Sequence, residues 1–140
     1  MLFRSNFNFL VEIDGIAKAA FEEVSGLSAE VDVIEYREGS DKAGTVRKLP
    51  GLIRYSSITL KRGFTQDKSL WTWFKTVLDG TVQRANGSIV LLDSSRNSVL
   101  RWIFREGWPS KWEGPSLNGK TSDVAIEMLV IEHEGLELEQ

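Results

Sequence analysis

Val124 to Ile131 is a strand-like run with apolar residues on both faces: Ile126, Met128 and Val130 alternate with Ala125, Leu129 and Ile131. Ile89 to Leu92 has the same two-sided character. A strand that is apolar on both sides has to be covered on both sides. A chain of 140 residues supplies roughly one core. The cover is therefore a second sheet of the same domain or the surface of a neighbouring subunit.

The rest of the chain reads in the same terms. Phe7, Phe9, Val11 and Ile13 share one face of a strand that ends at the turn pair Asp14-Gly15. Ile16 to Val24 returns as a second strand, although Ala17, Ala19, Ala20, Glu22 and Glu23 also suit a short helical turn. Leu27 to Arg37 and Ile53 to Arg62 are rich in β-branched residues and read as strands. Between them, Glu38 to Gly51 is polar and glycine-rich, a functional arm or an insertion. Leu70, Trp73, Phe74, Val77 and Leu78 form a single apolar stripe at helical spacing, with Asp67 as N-cap and Gly80 as the left-handed stop. Asn86-Gly87 between extended runs predicts a hairpin turn. Trp108-Pro109, Trp112 and Gly114-Pro115 predict an aromatic, proline-broken connection after the strand Val99 to Phe104. The sum is about seven strands and one helix in a single domain spanning residues 1–140, with boundaries uncertain by about 2–4 residues.

Composition excludes several function classes. Hydrophobic residues at 41% and charged residues at 26% describe a folded chain rather than a disordered one. A formal charge of -3 gives no global attraction to nucleic acid or anionic lipid. With no cysteine there is no disulfide, thiolate metal site or cysteine nucleophile. The first residues carry no secretory pattern and no run approaches a bilayer span, so the chain is expected to be made in a cytoplasm without a membrane anchor.

The chemistry-bearing residues do not form constellations. His133, the single histidine, lies between Glu132 and Glu134 and supplies at most one metal ligand, so a structural or solvent-exposed role is expected. Gly39 to Thr45 has the spacing of a phosphate loop but lacks the lysine and the helix that hold phosphates. The pairs Glu12/Asp14 and Glu30/Asp32 read as solvated strand faces, and Asn86-Gly87-Ser88 as a turn rather than a glycosylation site. Trp73 and Trp102 fall on apolar faces, and Trp71, outside the helix stripe, packs on a neighbouring element. No catalytic group, cofactor site or metal site is expected.

Taken in order, several segments resemble the tube proteins of contractile tails. They are Phe7 to Gly15, Phe21 to Leu27, Val33 to Gly39, Leu49 to Gly51 with Ile58 to Gly63, Leu70 to Phe74, Arg84 to Asp93, Trp108 to Trp112 and Glu127 to Gly135. The resemblance implies a mainly β fold: two packed antiparallel sheets, as a β-sandwich or barrel, with one flanking helix and a long hairpin arm. It implies hexameric rings whose sheets join into a continuous inner barrel, stacked as a tube inside a contractile sheath. The implied partners are further copies of the chain, the sheath protein, baseplate or tube-initiator proteins, terminator proteins, and a cargo of DNA or protein in the lumen. After assembly in a bacterial cytoplasm, the tube becomes part of a virion tail or a released injection particle.

On this resemblance residues 38–51 form an inter-ring arm with Glu38, Asp41, Lys42, Arg47, Lys48, Leu49 and Pro50 at the contact. Ile89, Leu91, Trp108, Trp112, Ile126, Met128 and Val130 serve subunit contact or core packing. Three alternatives remain open: an initiator or baseplate ring of the same fold, a small-ligand-binding β-barrel, and an injected effector enzyme.

Overall fold

The computed structural model describes residues 8–37, 39, 44–116 and 125–139. Ten strands and one helix follow in the order β1 (Phe9–Ile13), β2 (Ala17–Phe21), β3 (Glu23–Ser25), β4 (Ala29–Tyr36), β5 (Arg47–Tyr55), β6 (Ile58–Gly63), α1 (Ser69–Leu78), β7 (Ala85–Leu92), β8 (Ser98–Glu113), β9 (Ile126–Glu132) and β10 (Gly135–Glu139). All pairings are antiparallel.

Two layers are built from one hydrogen-bonded path. The first runs β2-β1-β7-β8-β10, and the second continues from the far end of β8 through β9 and β6 to β3. The 16-residue β8 belongs to both layers. It pairs with β10 over Arg101 to Arg105, then with β9 from Trp108 onward. Its bend falls at Glu106, which has a positive φ of 55°, a corner of the kind that lets one strand serve two sheets. β9 and β10 keep one register against β8 across the bend, from Trp108↔Glu132 to Arg105↔Gly135. On the opposite side β2 passes into β3 through Glu22, whose N–H donates to the Lys61 carbonyl at 3.0 Å. The layers are therefore joined along both sides.

Alternation aims one face of each strand inward. Val11, Ile13, Phe21, Ile58, Leu60, Ile89, Phe104, Leu129 and Ile131 fill the space between the layers, each no more than 1% exposed. Burying each such side chain contributes about 1.5–3 kcal/mol. Leu70 and Trp73 of α1 seal one flank of this core. Asp67 is not the N-cap expected of it: Lys68 holds that position without a side-chain cap, and Asp67, one residue earlier, accepts the Ser69 N–H and hydroxyl, both at 3.0 Å. Gly80 ends the helix with φ 81°. The stripe is narrower than its spacing suggests, since Leu78 is 60% exposed.

Several expectations are corrected. Ten strands replace about seven: Ile16 to Val24 divides into β2 and β3, and β10 follows the last strand expected. Ile53 to Arg62 divides at Ser56-Ser57 into β5 and β6. Asn86-Gly87 lies inside β7 at a bulge, not in a hairpin turn. A Cβ on Gly87 would stand 2.4 Å from Phe104 Cζ, so the glycine makes room for a core ring. Trp108 to Trp112 is strand rather than connection. The register of β8 shifts between Pro109 and Lys111, and a bulge there accommodates the proline. The last long strand starts at Ile126, and Val124 lies outside the described residues.

Candidate assembly interface

The most distinctive feature grows out of the β3–β6 pair. Glu23↔Lys61, Val24↔Leu60 and Ser25↔Thr59 are followed by Ala29↔Tyr55 and Val31↔Ile53 without a change of register. β3-β4 and β5-β6 are thus one hairpin with an elbow in it. At the elbow Gly26 has φ 89°, and a Cβ there would lie 1.8 Å from the Ser57 carbonyl oxygen. Only glycine combines that φ with so close an approach of two backbones. Ser28 Oγ donates to Ser56 Oγ at 2.7 Å across the gap. His133 sits at the same joint, with Nε2 2.9 Å from the Ser56 carbonyl and Nδ1 3.0 Å from the Gly135 carbonyl. Its ring also packs on Tyr55, 5.5 Å between centroids. The histidine that sequence reasoning left as structural is a pin between the arm's root and the β9–β10 junction.

Beyond the elbow, β4 and β5 form a two-stranded ribbon paired with nothing else among the described strands. The arm is longer than expected: it starts at Ala29 rather than Glu38. Register places Val31, Val33, Pro50 and Ile53 on one face and Ile34, Tyr36 and Leu49 on the other. Both faces are open to solvent, with Val33 63%, Ile53 61% and Ile34 50% exposed. Near the root Arg54 Nε donates to both carboxylate oxygens of Asp32, at 3.0 and 3.1 Å. That hydrogen bond, more than the charge of Arg54, holds the Asp32 carboxyl below the usual carboxylate range. A two-stranded ribbon is marginal in water by itself, and an apolar patch of this kind marks a contact surface.

A second unpartnered surface lies beside the helix. Phe64, Trp71 and Trp112 line a surface groove of about 770 Å³ together with Thr65, Gln66, Asp67, Lys68 and Glu127. Trp71 leans on Trp112 with ring centroids 4.9 Å apart, so it does pack on a neighbouring element. Beneath them is a polar network that sequence reasoning missed. Glu127 accepts Arg62 Nε at 2.8 Å and Trp112 Nε1 at 2.7 Å. Arg62 and Glu127 are almost completely buried, at 6% and 2% side-chain exposure. Arg62 also lies 5.3 Å above the Phe21 ring and 3.6 Å from Asp67. The available signal was the shared inward parity of Arg62 and Glu127 with Leu60 and Leu129.

The expected site residues separate into groups. Arg47, Lys48, Leu49 and Pro50 are on β5 in the ribbon, whereas Glu38, Asp41 and Lys42 lie outside the described residues. Ile89 is fully buried and Leu91 half-buried within the chain's own core layer. Trp108 and Trp112 are half-buried on β8. Ile126, Met128 and Val130 share the outer face of β9, where Ile126 is 43% exposed. The chain itself thus covers one side of β9 fully and the other side only partly.

A filled core, an open two-faced ribbon and partly covered strand faces together define a subunit made to be completed by other chains. This chain belongs to the T4-like virus tail tube protein gp19 family, whose model matches residues 5–137. It is similar to a chain of the PVC extracellular contractile injection system, in the sheath-tube complex in its extended state. The two share 26% identity over 95% of this chain and 88% of that one, with a TM-score of 0.81. A chain from the six-fold symmetrised baseplate of the anti-feeding prophage, AFP, gives 26% identity, coverage of 99% and 97%, and a TM-score of 0.78. Hcp1 from Flavobacterium johnsoniae shares the fold, at 16% identity, 94% coverage of each chain and a TM-score of 0.57. No curated protein sequence matches this one. The chain is a tail tube protein of contractile injection systems, with the resembled mainly β fold.

Proposed function

We propose that this chain closes into hexameric rings and that the rings stack into the hollow inner tube of a contractile particle. The observation that carries this reading is the β4–β5 ribbon, apolar and open on both faces, projecting from a core that is otherwise complete. Residues 38–51, including Glu38, Asp41, Lys42, Arg47, Lys48, Leu49 and Pro50, reach the adjacent ring. The mixed charges there set register more than affinity. Ile126, Met128 and Val130, with Trp108 and Trp112, supply contact within a ring, and sheets joined around that ring leave no exposed edge. Many weak contacts repeated around the ring and along the stack add through effective concentration. The tube carries DNA or protein and binds sheath, baseplate and terminator proteins. It is assembled in a bacterial cytoplasm and performs no catalysis; its work is mechanical.

Negative-stain electron microscopy of the purified protein across a concentration series, paired with light-scattering mass, tests this. Six-fold rings that lengthen into tubes are expected. Strictly monomeric protein at high concentration, even beside sheath and baseplate proteins, would refute it. Deleting Lys42–Lys48 should leave rings and abolish stacking. The similarity to a chain of the AFP baseplate favours one second reading, a ring at the tube's base. That reading predicts rings that never stack unaided.

A further inference from the structure

The imidazole of His133 has a backbone carbonyl at each of its nitrogens. Nε2 lies 2.9 Å from the Ser56 carbonyl oxygen and Nδ1 3.0 Å from that of Gly135. A carbonyl only accepts, and a neutral imidazole carries one N–H. The neutral ring therefore donates to one of the two carbonyls and turns a lone pair on the other. The imidazolium has two N–H groups and donates to both. We propose that His133 is a proton-operated clamp. With its second proton on, the ring ties the elbow at Ser56 to the β9–β10 junction at Gly135; with that proton off, one of the ties is released. The clamp is a property of the single subunit and goes beyond tube formation, so its test needs no ring.

The surroundings suit a cation. At the end of β9, Glu132 accepts the hydroxyls of Ser57 and Ser110, at 2.7 and 2.9 Å. Glu134 pairs with Arg84 at 2.9 Å. On β8, Arg105 pairs with Glu137 of β10 at 3.6 Å, and a Cβ on Gly135 would stand 2.7 Å from its Nη2. On β5, Arg54 is taken by Asp32, and Tyr55 meets the imidazole at 5.5 Å between centroids, opposite Phe104 at 6.2 Å. Around the ring Glu132, Glu134 and Glu137 outnumber Arg84 and Arg105 by one, and a second proton on His133 evens the count. The doubly tied elbow belongs to the proton-bound ring. The clamp therefore holds below the ordinary histidine range, near about 6.5, and lets go as pH rises through it.

His133 is the only histidine, so the ring signals of the full chain with isotope-labelled histidine and no histidine tag are unambiguous by NMR. Two quantities are followed together from about pH 5 to about pH 8. One is the number of protons on the ring, and the other is hydrogen exchange at the elbow amides, corrected for its intrinsic rate. Those amides are Ser28, which donates to the Gly26 carbonyl, and Ser56, which donates to that of Ser28. Their protection should fall about fivefold as the second proton leaves, the factor expected for one net hydrogen bond. In His133→Gln, which does not titrate, protection should stay level over the same range. Protection that stays level or rises in the unsubstituted protein as the ring titrates would overturn the clamp and leave the tube reading intact. A ring still singly protonated at about pH 5 would overturn it too. Both of these outcomes are read without any variant, so they decide the matter even if His133→Gln fails to fold.

Discussion

Replacing Gly26 by alanine tests the elbow on which the arm depends. Two costs are separable because Gly15 supplies a control. Gly15 has φ 75° and open space where a Cβ would go. Gly15→Ala therefore suffers only the left-handed backbone penalty, about 1 kcal/mol. Gly26 has φ 89° and the same penalty, but its Cβ would lie 1.8 Å from the Ser57 carbonyl oxygen, well under the 3.0 Å below which real contacts are essentially never seen. One strand must move by roughly the difference, about 1.2 Å. Forced displacement in a packed region costs about 1–3 kcal/mol. It also disturbs the Ser28–Ser56 and His133–Ser56 hydrogen bonds, worth about 1 kcal/mol each. The total is about 4–6 kcal/mol.

The damage cannot stay in the arm, because the same Cβ approaches the Cα of Ile58, a residue with 0% exposure in the core. Thermal unfolding followed by circular dichroism reads the difference. At about 3–4 °C per kcal/mol for a chain of this size, Gly15→Ala should lower Tm by about 4 °C and Gly26→Ala by more than about 10 °C. Gly26→Ala should also fail to form tubes at concentrations where Gly15→Ala succeeds. Equal Tm losses in the two variants would refute the account of the elbow as a close backbone crossing.

Other outcomes follow from the polar network, the groove and the arm's root. Glu127→Gln removes the closer counter-charge of buried Arg62, leaving only Asp67 at 3.6 Å, and should cost about 3 kcal/mol in chemical denaturation. The double variant Arg62→Met with Glu127→Leu should recover most of that loss, and a double variant as unstable as the single would sink the argument. Trp71→Ala removes the stack on Trp112 and should cost about 1–2 kcal/mol, with a matching change in tryptophan emission. The Asp32 carboxyl, held below its ordinary 3.8 by Arg54, stabilises the root of the ribbon above that value. Its contribution is lost as pH falls through the lowered folded value. An NMR titration should place the Asp32 midpoint below 3.8 and return it toward 3.8 in Arg54→Ala.

Much of the fold was legible because period-two alternation and the helix stripe report directly which faces are buried. β1, β6, β9 and α1 emerge from their patterns within a few residues. The failures share one cause: local punctuation reports turns only where nothing larger needs the same residues. Asn86-Gly87 has the chemistry of a hairpin turn, yet Gly87 is there to clear the Phe104 ring. Pro109 interrupts a ladder in principle but sits at a bulge in β8. The elbow was hidden for the opposite reason, since Ser25-Gly26 and Ser56-Ser57 lie 31 residues apart in sequence and meet only through register. Val31, Val33 and Ile34 read as strand, but β-branched composition does not say whether a strand joins the core sheets or stands clear of them in a ribbon.

The continuity of the hairpin bears on how a tube subunit carries load. The arm is not a loop tied to the core at two points. It is the extension of a strand pair whose inner half belongs to the β3-β6-β9 ladder. A pull along the arm loads that ladder in shear, parallel to its strands. Antiparallel hydrogen bonds run perpendicular to the strands, so such a load is shared by the whole row instead of opening bonds one at a time. Gly26, with Ser28, Ser56 and His133 around it, lets the ribbon change direction without breaking the register on either side. A ribbon anchored through a continuous ladder suits a tail tube subunit, whose load then passes into its core sheets and not into a loop.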